Sequence, residues 1–299
     1  MYYRRKLQLA LLSQFGGELT AKQFQKLLFL YTRKQDMKSY DFVPFHYGCY
    51  SFQASQDIHA LATMGHVKIT DSPEGNRIVL LDKEDYSMTL TLFDQKYLLD
   101  TYQDFSGMSQ DELIRYTYVH FPYYAIKSEI AKGLLSDEEF NKVKKQERHY
   151  SEPMLFTIGY EGVSLESYIN RLIINDVRTL CDVRKNAFSQ KYGFSKSQLK
   201  MACEGTGINY VHIPELGIES NKRQTLVTQA DYDTLFDEYE RTTLVNNYKY
   251  ILAIRDIINK DKRVALTCFE ANPNQCHRSR VAKALMNLEK IDYKKQDLI

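Results

Sequence analysis

The chain has 299 residues, of which 43% are hydrophobic and 26% are charged, and its formal net charge is +2. This small net charge neither requires nor excludes nucleic acid as a partner, because such binding depends on local clusters of charge. No apolar run reaches the ~18 residues that a membrane-spanning helix needs, and the first residues lack the apolar core of a signal peptide. The five cysteines have no repeating spacing, so they do not indicate a disulfide framework. We therefore expect a cytoplasmic protein that makes no membrane contact.

The length indicates about two domains, since a domain typically has ~150 residues. The N-terminal region, residues 1–85, begins with two leucine-rich helical patterns that Gly16-Gly17 separates, and Thr20 is placed to cap the second. A third helical pattern follows, and residues 67–81 then have the alternation of a β-hairpin. Helices followed by a small hairpin predict a mainly helical, winged-helix-like domain.

Two stretches of this region, Leu19–Tyr31 and Tyr47–Ser51, resemble the Panacea domain, which is found in SocA-like antitoxins. This family commonly has proline where the chain has Cys49. The resemblance implies a regulatory or partner-binding module rather than a catalytic one. The same patterns are also explained by helices that only form the core of a small domain, and a solvated helix surface explains Lys22 and Lys26.

Helical patterns continue through residues 86–150, and the strongly charged stretch 137–148 indicates a connector between domains. Residues 151–299 then alternate four times between an apolar strand and an amphipathic helix, and the third helix is long, at about residues 231–259. Such an alternation predicts an α/β domain with a parallel, four- or five-stranded, Rossmann-like sheet flanked by helices. The predicted strands comprise residues 154–158, 177–183, 208–213 and 264–268.

Polar side chains follow each predicted strand. Because the carboxyl ends of parallel strands meet at one edge of a sheet, we expect these side chains to converge there on a ligand site. The last three of them lie where a helix begins, and a helix N-terminus favours an anion such as phosphate. The converging residues are Gly159, Tyr160, Glu161, Asp182, Arg184, His212, Glu215, Cys268, Glu270, Cys276, His277 and Arg278.

Five motifs of this region resemble, in the same order, those of the domain-of-unknown-function family 488. These motifs are Thr157–Gly162, Cys181–Arg184, Gly193–Ser195, Tyr210–Gly217 and Cys268–Arg278. The resemblance covers residues 153–290 and implies a fold and a site, but no activity, and the segment 218–230 does not fit it. The positions that the resemblance implies are Gly159, Tyr160, Asp182, Arg184, His212, Pro214, Leu216, Gly217, Cys268, Glu270, Cys276, His277 and Arg278.

Asp182 and Arg184 flank one residue and are expected to point to the same side of an extended chain. One interpretation is an ion pair that orients a loop. The other makes Arg184, together with Arg278, an anion clamp on phosphate, with Asp182 as its orienter or as a base. On the second interpretation the catalytic candidates are Asp182, His212, Cys268, Glu270 and His277, and the substrate-binding candidates are Gly159, Tyr160, Arg184, Glu215, Cys276 and Arg278.

Cys268 is a candidate nucleophile, because a helix N-terminus and an arginine nearby lower the pKa of a thiol. However, Arg278 lies farther along the chain than the arginine of a phosphatase loop, and a small buried cysteine is the plainer interpretation. A metal site built from His212 and the Cys268, Cys276 and His277 side chains fits no common zinc spacing, so no metal ligands are predicted. His277 is expected instead to hydrogen-bond to Asp182 or Glu270. No cofactor is predicted either, since the turn after the first strand is too short for a dinucleotide fingerprint.

Two functions follow from these observations. The first is an enzyme that binds a phosphate-bearing substrate, a nucleotide or nucleic acid, at the carboxyl edge of the sheet. The second is a non-catalytic regulatory protein of the phage-defence or toxin–antitoxin type, whose residues 1–85 bind DNA or a protein partner.

Overall fold

The computed structural model describes residues 1–73, 75–219, 226–289 and 292–298. The chain divides into two compact units, Met1–Glu147 and Arg148–Ile299. None of the helices within the described ranges is long and apolar enough to cross a membrane.

The N-terminal unit is mainly helical and has two small antiparallel sheets. In chain order its elements are α1 (Tyr3–Gln14), β1 (Glu18–Thr20), α2 (Ala21–Thr32), β2 (Val43–Phe45), β3 (Gly48–Tyr50), α3 (Phe52–Thr63), β4 (Val67–Thr70), β5 (Arg77–Leu80), α4 (Leu92–Phe105), α5 (Gln110–His120), α6 (Ala131–Leu134) and α7 (Asp137–Lys144).

The local signals of this unit fold as the sequence indicated. Thr20 caps α2 with a reciprocal pair of hydrogen bonds: its hydroxyl accepts from the Gln23 backbone N–H at 3.1 Å, and its own N–H donates to the Gln23 side chain at 3.1 Å. The predicted hairpin is β4–β5, and β1 adds a third strand to it that the sequence patterns did not predict. Glu74, in the predicted turn of this hairpin, lies outside the described residues.

One hydrophobic core joins the early and late helices of the unit. Leu7 from α1 and Leu28 from α2 belong to the same buried cluster as Leu98 from α4 and Leu113 from α5. Burial of these apolar side chains is what stabilises the unit, because removing apolar surface from water is the main favourable contribution to folding.

The C-terminal unit is an α/β domain. In chain order its elements are β6 (Met154–Gly159), α8 (Leu165–Ile174), β7 (Thr179–Asp182), α9 (Lys196–Gly205), β8 (Asn209–His212), α10 (Gln229–Tyr239), α11 (Tyr248–Asp261), β9 (Arg263–Cys268), α12 (His277–Met286) and β10 (Lys294–Leu298).

The five strands form one parallel sheet in the order β10-β6-β9-β7-β8, which confirms the predicted parallel α/β architecture. The fifth strand, β10, comes from the C-terminal residues for which the sequence made no assignment. Helices cover the sheet: Val264 and Leu266 of β9 lie in one core with α11 and α12, whereas Thr267 accepts a hydrogen bond from the Tyr168 hydroxyl of α8 at 2.7 Å. The central strands are therefore buried, as in parallel sheets generally.

The prediction of one long helix at residues 231–259 was wrong. A π-helical turn at Glu240–Leu244 follows α10, and the chain then breaks at Asn247 before α11 begins. Threonine and asparagine are weak helix formers, and both occur as pairs between the two helices. Within the unassigned segment 218–230, residues 220–225 lie outside the described residues.

We predict that Thr20→Ala lowers the free energy of unfolding of the full chain by about 1–2 kcal/mol, because the cap of α2 is lost. The hydroxyl also donates to the Gln110 side chain at 2.6 Å, so a second contact is lost with it. Chemical denaturation followed by circular dichroism measures the change. Thr20→Ser keeps the hydroxyl and should stay close to wild type; equal losses in both variants would show that the hydroxyl is not what stabilises this helix.

Candidate functional site

The carboxyl ends of the strands place the predicted site residues side by side. Gly159, the last residue of β6, pairs with Cys268, the last residue of β9. Asp182, at the end of β7, pairs with Thr267 of β9 and with His212 of β8. The convergence expected from a parallel sheet is therefore present at the level of backbone register.

A buried ion pair lies at the centre of this edge. Asp182 is fully buried, and Arg184 donates to both of its carboxylate oxygens, at 2.8 Å from Nε and 2.5 Å from Nη2. The same guanidinium donates to the Tyr160 hydroxyl and to the Phe194 carbonyl oxygen, each at 2.8 Å. The Tyr210 hydroxyl donates to Asp182 at 2.6 Å. These contacts are all internal, so they support a role for Arg184 in holding the edge together.

The electrostatics of the pair keep Arg184 charged. Burial works against the charged form, but the hydrogen bonds and the negative charge of Asp182 outweigh it and raise the pKa of Arg184 above its ordinary value. Burial, followed by the nearby Asp182 charge, also raises the pKa of Tyr210, so this phenol stays a donor.

Arg278 has a similar internal role in the loop after β9. Its side chain is almost completely buried and donates to the backbone carbonyls of Glu270 and Ala271 and, at 3.3 Å, to the Thr157 hydroxyl. The loop is also pressed against β6, because a Cβ added at Gly159 would lie 2.0 Å from the Glu270 carbonyl oxygen. The backbone of Glu270 is thereby fixed from two sides.

A thiol, an imidazole and a carboxylate meet beside this loop. The Cys268 Sγ lies 3.1 Å from the Glu270 Oε2 and 3.5 Å from the His277 Nδ1. The Cys276 thiol completes the group: the ligand atoms of Cys268, Cys276 and His277 all lie within 4.8 Å of one another. We call these four residues the thiol–imidazole cluster. Burial, and then the Cys268 thiol beside it, raise the pKa of Cys276 well above its ordinary value.

The end of β9 and the start of α12 hold three members of this cluster in place. Cys268 ends β9, Cys276 is the N-cap residue of α12, and His277 is the first residue of that helix. The expected partners of His277 were Asp182 or Glu270; the Val183 carbonyl oxygen, which lies 2.8 Å from its Nε2, is a partner that was not predicted.

A cavity of about 360 Å³ opens onto the cluster. Cys268 and His277 line it, together with the predicted site residues Tyr160 and Arg184. Its other lining residues come mostly from the loop between β7 and α9, and none of them was among the predicted site residues. They are Lys185, Asn186, Phe188, Ser189, Gln190, Lys191, Ile218 and Phe269.

His212 and Glu215 are among the predicted residues that do not line this cavity. The His212 Nε2 lies 2.9 Å from the Arg184 carbonyl oxygen, where it supports the backbone rather than facing the cluster. Glu215 lines a second cavity of about 260 Å³, which shares Lys185 with the first. The basic residues of the β7–α9 loop were missed, although two lysines in a loop that follows a strand end were a usable signal.

One family model matches the C-terminal unit of the chain. Residues 164–285 match the model of the family described as Domain of unknown function DUF488, which confirms the predicted resemblance for the C-terminal half of the chain. The matched segment runs from the cap of α8 into α12 and contains the whole thiol–imidazole cluster. No curated protein and no solved structure matches the chain significantly.

We predict that Asp182→Ala lowers the free energy of unfolding by about 3–5 kcal/mol, because it leaves the Arg184 charge buried without its partner. Tyr210→Phe removes one hydrogen bond to the same carboxylate and should cost about 1.5–3 kcal/mol. Denaturant unfolding of the full chain measures both values. Small and equal losses would show that the ion pair does not order this edge.

Proposed function

We propose that the C-terminal unit is an enzyme that binds a nucleotide or nucleic acid through its phosphate in the 360 Å³ cavity. The single observation that carries this proposal is the meeting of a thiol, an imidazole and a carboxylate beside a cavity lined by two lysines. Clefts of this kind, with a few polar groups converging on them, are the usual place for substrate binding.

The two lysines supply the positive charge. Lys185 is exposed, and Lys191 is half-buried with its Nζ donating to the Tyr160 carbonyl oxygen at 2.8 Å. Burial lowers the pKa of Lys191, against the charge of Glu161, which raises it. An ammonium that is partly desolvated interacts more strongly with an anion than a fully hydrated one does. Arg184 and Arg278 donate their hydrogen bonds to groups of the protein itself. We therefore assign anion binding to the two lysines and positioning roles to the two arginines.

Two exposed aromatic rings favour a nucleotide over a simple phosphate ester. Phe188 is 71% exposed and Phe269 is 43% exposed, and both line the cavity. Two exposed rings at one cavity offer faces on which a base can stack, as nucleobases do on aromatic side chains in many nucleic-acid-binding proteins. The Phe269 ring packs edge-on against Tyr160, with ring centroids 5.3 Å apart, which fixes its orientation.

The acid–base step is assigned to Glu270. Its carboxylate contacts the Cys268 thiol that lines the cavity, and its backbone is held by Arg278. A general acid or base has to reach the substrate by a hydrogen bond, and the Glu270 carboxylate lies next to Cys268, which lines the cavity. In this proposal Asp182 and His212 position the edge of the sheet and do not contact the substrate, and Glu215 belongs to the neighbouring cavity.

We expect a mass change when the full chain is incubated with mixtures of nucleotides, RNA, DNA and phosphorylated metabolites and the products are analysed by mass spectrometry. Glu270→Gln should lower kcat by about 100-fold or more, the usual contribution of a general acid–base group. Lys191→Ala should act mainly on KM, because it removes charge from the binding site.

Glu219→Gln is the matched control, since Glu219 is an exposed carboxylate that lines the second cavity. Its kinetics should equal those of wild type. If no mixture gives a product, the proposal of an enzyme is wrong. If Glu270→Gln turns over substrate like wild type, the assignment of the acid–base step to Glu270 is wrong.

For the N-terminal unit we propose a regulatory module that binds nucleic acid or a protein partner, in line with its resemblance to the Panacea domain. The order of α1–α3 followed by the β4–β5 hairpin supports a winged-helix-like interpretation. A cavity of about 300 Å³ beside α2 and the β2–β3 hairpin supports binding, because its lining combines the Tyr47 and Tyr50 rings with Lys22 and Lys26. Lys26 is almost fully buried, its Nζ donates to the Cys49 carbonyl oxygen at 3.0 Å, and burial lowers its pKa.

We expect the full chain to bind a DNA or RNA duplex with an affinity that falls steeply with salt, as phosphate contacts require. Lys22→Glu should weaken this binding, whereas Lys132→Glu, on the short helix α6, should not. Gel-shift titrations at two salt concentrations measure both. The absence of a shifted complex at the lower salt concentration would argue against nucleic acid as the partner, and binding that Lys22→Glu leaves unchanged would argue against this surface as its site.

A further inference from the structure

The thiol–imidazole cluster has the dimensions of a metal site. The ligand atoms of Cys268, Cys276 and His277 lie within 4.8 Å of one another, and the Cys268 Sγ is 3.5 Å from the His277 Nδ1. In a tetrahedral zinc site, with bonds of about 2.3 Å to sulfur and 2.0–2.1 Å to nitrogen, a sulfur and a nitrogen ligand lie about 3.6 Å apart. The observed separation, which is also that of a thiol–imidazole hydrogen bond, therefore allows both atoms to bind one ion.

The hydrogen bonding of His277 presents the correct nitrogen. Its Nε2 lies 2.8 Å from the carbonyl oxygen of Val183. A carbonyl only accepts, so the proton of the neutral ring is on Nε2, and Nδ1 turns a lone pair towards the Cys268 sulfur. Zinc-binding histidines generally donate their other N–H to a carbonyl or carboxylate in this way, which fixes the ring and increases its basicity.

The three ligands are buried and held by regular elements. Cys268, Cys276 and His277 are each at most 2% exposed. One lies at a strand end, and the other two occupy the first positions of a ten-residue helix. Arg278, the next residue, ties that helix to the loop after β9. Such a set needs little rearrangement to bind an ion, which favours affinity.

We propose that Cys268, Cys276 and His277 bind one zinc ion as its three protein ligands. Three ligands and an open fourth position are typical of catalytic zinc, whereas structural zinc has four protein ligands. Cys268 and His277 line the cavity, so the open position faces the space where a substrate would bind. Glu270, 3.1 Å from the Cys268 sulfur, is placed to accept a proton from a zinc-bound water.

This ligand set is also consistent with the proposed substrate class. One class of zinc deaminases that act on nucleobases holds its ion with two thiolates and one imidazole, or with three thiolates, and keeps a glutamate beside it that is not a ligand. The zinc proposal does not depend on the proposed enzymatic function, because the ion is recognised by the cluster alone.

The test uses the full chain and the metal itself. The chain is purified under reducing conditions without chelator, and its metal content is measured by mass spectrometry of the elements. We expect close to one zinc per chain. After removal of the metal by a chelator, added Co²⁺ should give the intense visible bands of a tetrahedral site and the ultraviolet charge-transfer band of cobalt–thiolate bonds.

Cys276→Ala should lower zinc affinity by more than the ~10–100-fold that loss of an outer hydrogen-bond partner costs. Cys203→Ala is the matched control, because Cys203 is a fully buried cysteine of α9 outside the cluster, and it should keep its zinc. Glu270→Gln should also keep its zinc, because in this proposal Glu270 accepts a proton and is not a ligand.

A measurement on the wild-type chain covers the case in which Cys276→Ala does not fold. Zinc should slow the alkylation of Cys268 and Cys276, as mapped on peptides, and chelator should restore it. Alkylation that zinc does not change, or a Co²⁺ complex without a thiolate band, would overturn the proposal.

The outcomes also separate this inference from the proposed function. A wild-type chain that contains no zinc as purified, binds no added zinc and still turns over a substrate would end the zinc proposal and leave the proposed enzyme standing. Zinc bound by the three residues, with no product from any substrate mixture, would support the zinc proposal and contradict the proposed enzymatic function.

Discussion

The buried pair of Asp182 and Arg184 is the interaction on which the rest of the C-terminal unit depends. An ion pair in a protein interior is favourable only when its geometry is good and its remaining hydrogen-bonding groups are satisfied. Here those groups are satisfied by three other parts of the chain: the Tyr160 hydroxyl after β6, the Tyr210 hydroxyl of β8 and the Phe194 carbonyl before α9. The pair therefore fixes the relative positions of two strand ends and of the loop that lines the cavity.

The second constraint is the close approach of the β6 end to the loop after β9. A side chain at Gly159 would overlap the Glu270 carbonyl, and Arg278 holds the same carbonyl from the other side. The Glu270 side chain consequently extends from a fixed backbone towards the Cys268 sulfur. The fixed backbone at these positions brings the Glu270 carboxylate, the Cys268 thiol and the His277 imidazole together; no special property of one residue is needed.

The sequence predicted those parts of the structure that follow from a repeating pattern of apolar residues. Apolar strands alternating with amphipathic helices predict a parallel sheet, and a parallel sheet predicts that Asp182 and Cys268 lie at one edge. The break between α10 and α11 was missed because helix periodicity continues across it on the apolar face, and β10 was missed because Lys294–Leu298 has the polar composition of an edge strand.

The roles of the site residues were harder to predict, because the same residue type can serve two different roles. Arginine is the side chain best suited to bind phosphate, and one of the two interpretations of the sequence assigned that role to Arg184, together with Arg278. The same planar set of donors also makes arginine the best residue for satisfying a buried carboxylate or several carbonyls, and only three-dimensional contacts tell the two uses apart.

The spacing of residues in the sequence did not point to the zinc ligands that we propose, for a related reason. Common zinc motifs are recognised because both ligands of a pair lie on one turn or one helix, where the number of intervening residues fixes their distance. In this chain a strand end faces a helix start, so the distance between Cys268 and the Cys276–His277 pair is set by the path of the loop and by Arg278, not by the number of residues between them. The ligand set becomes visible only when the sheet edge is built. The Val183 carbonyl, which fixes the proton on His277, comes from the neighbouring strand's end and has no signature in the sequence at all.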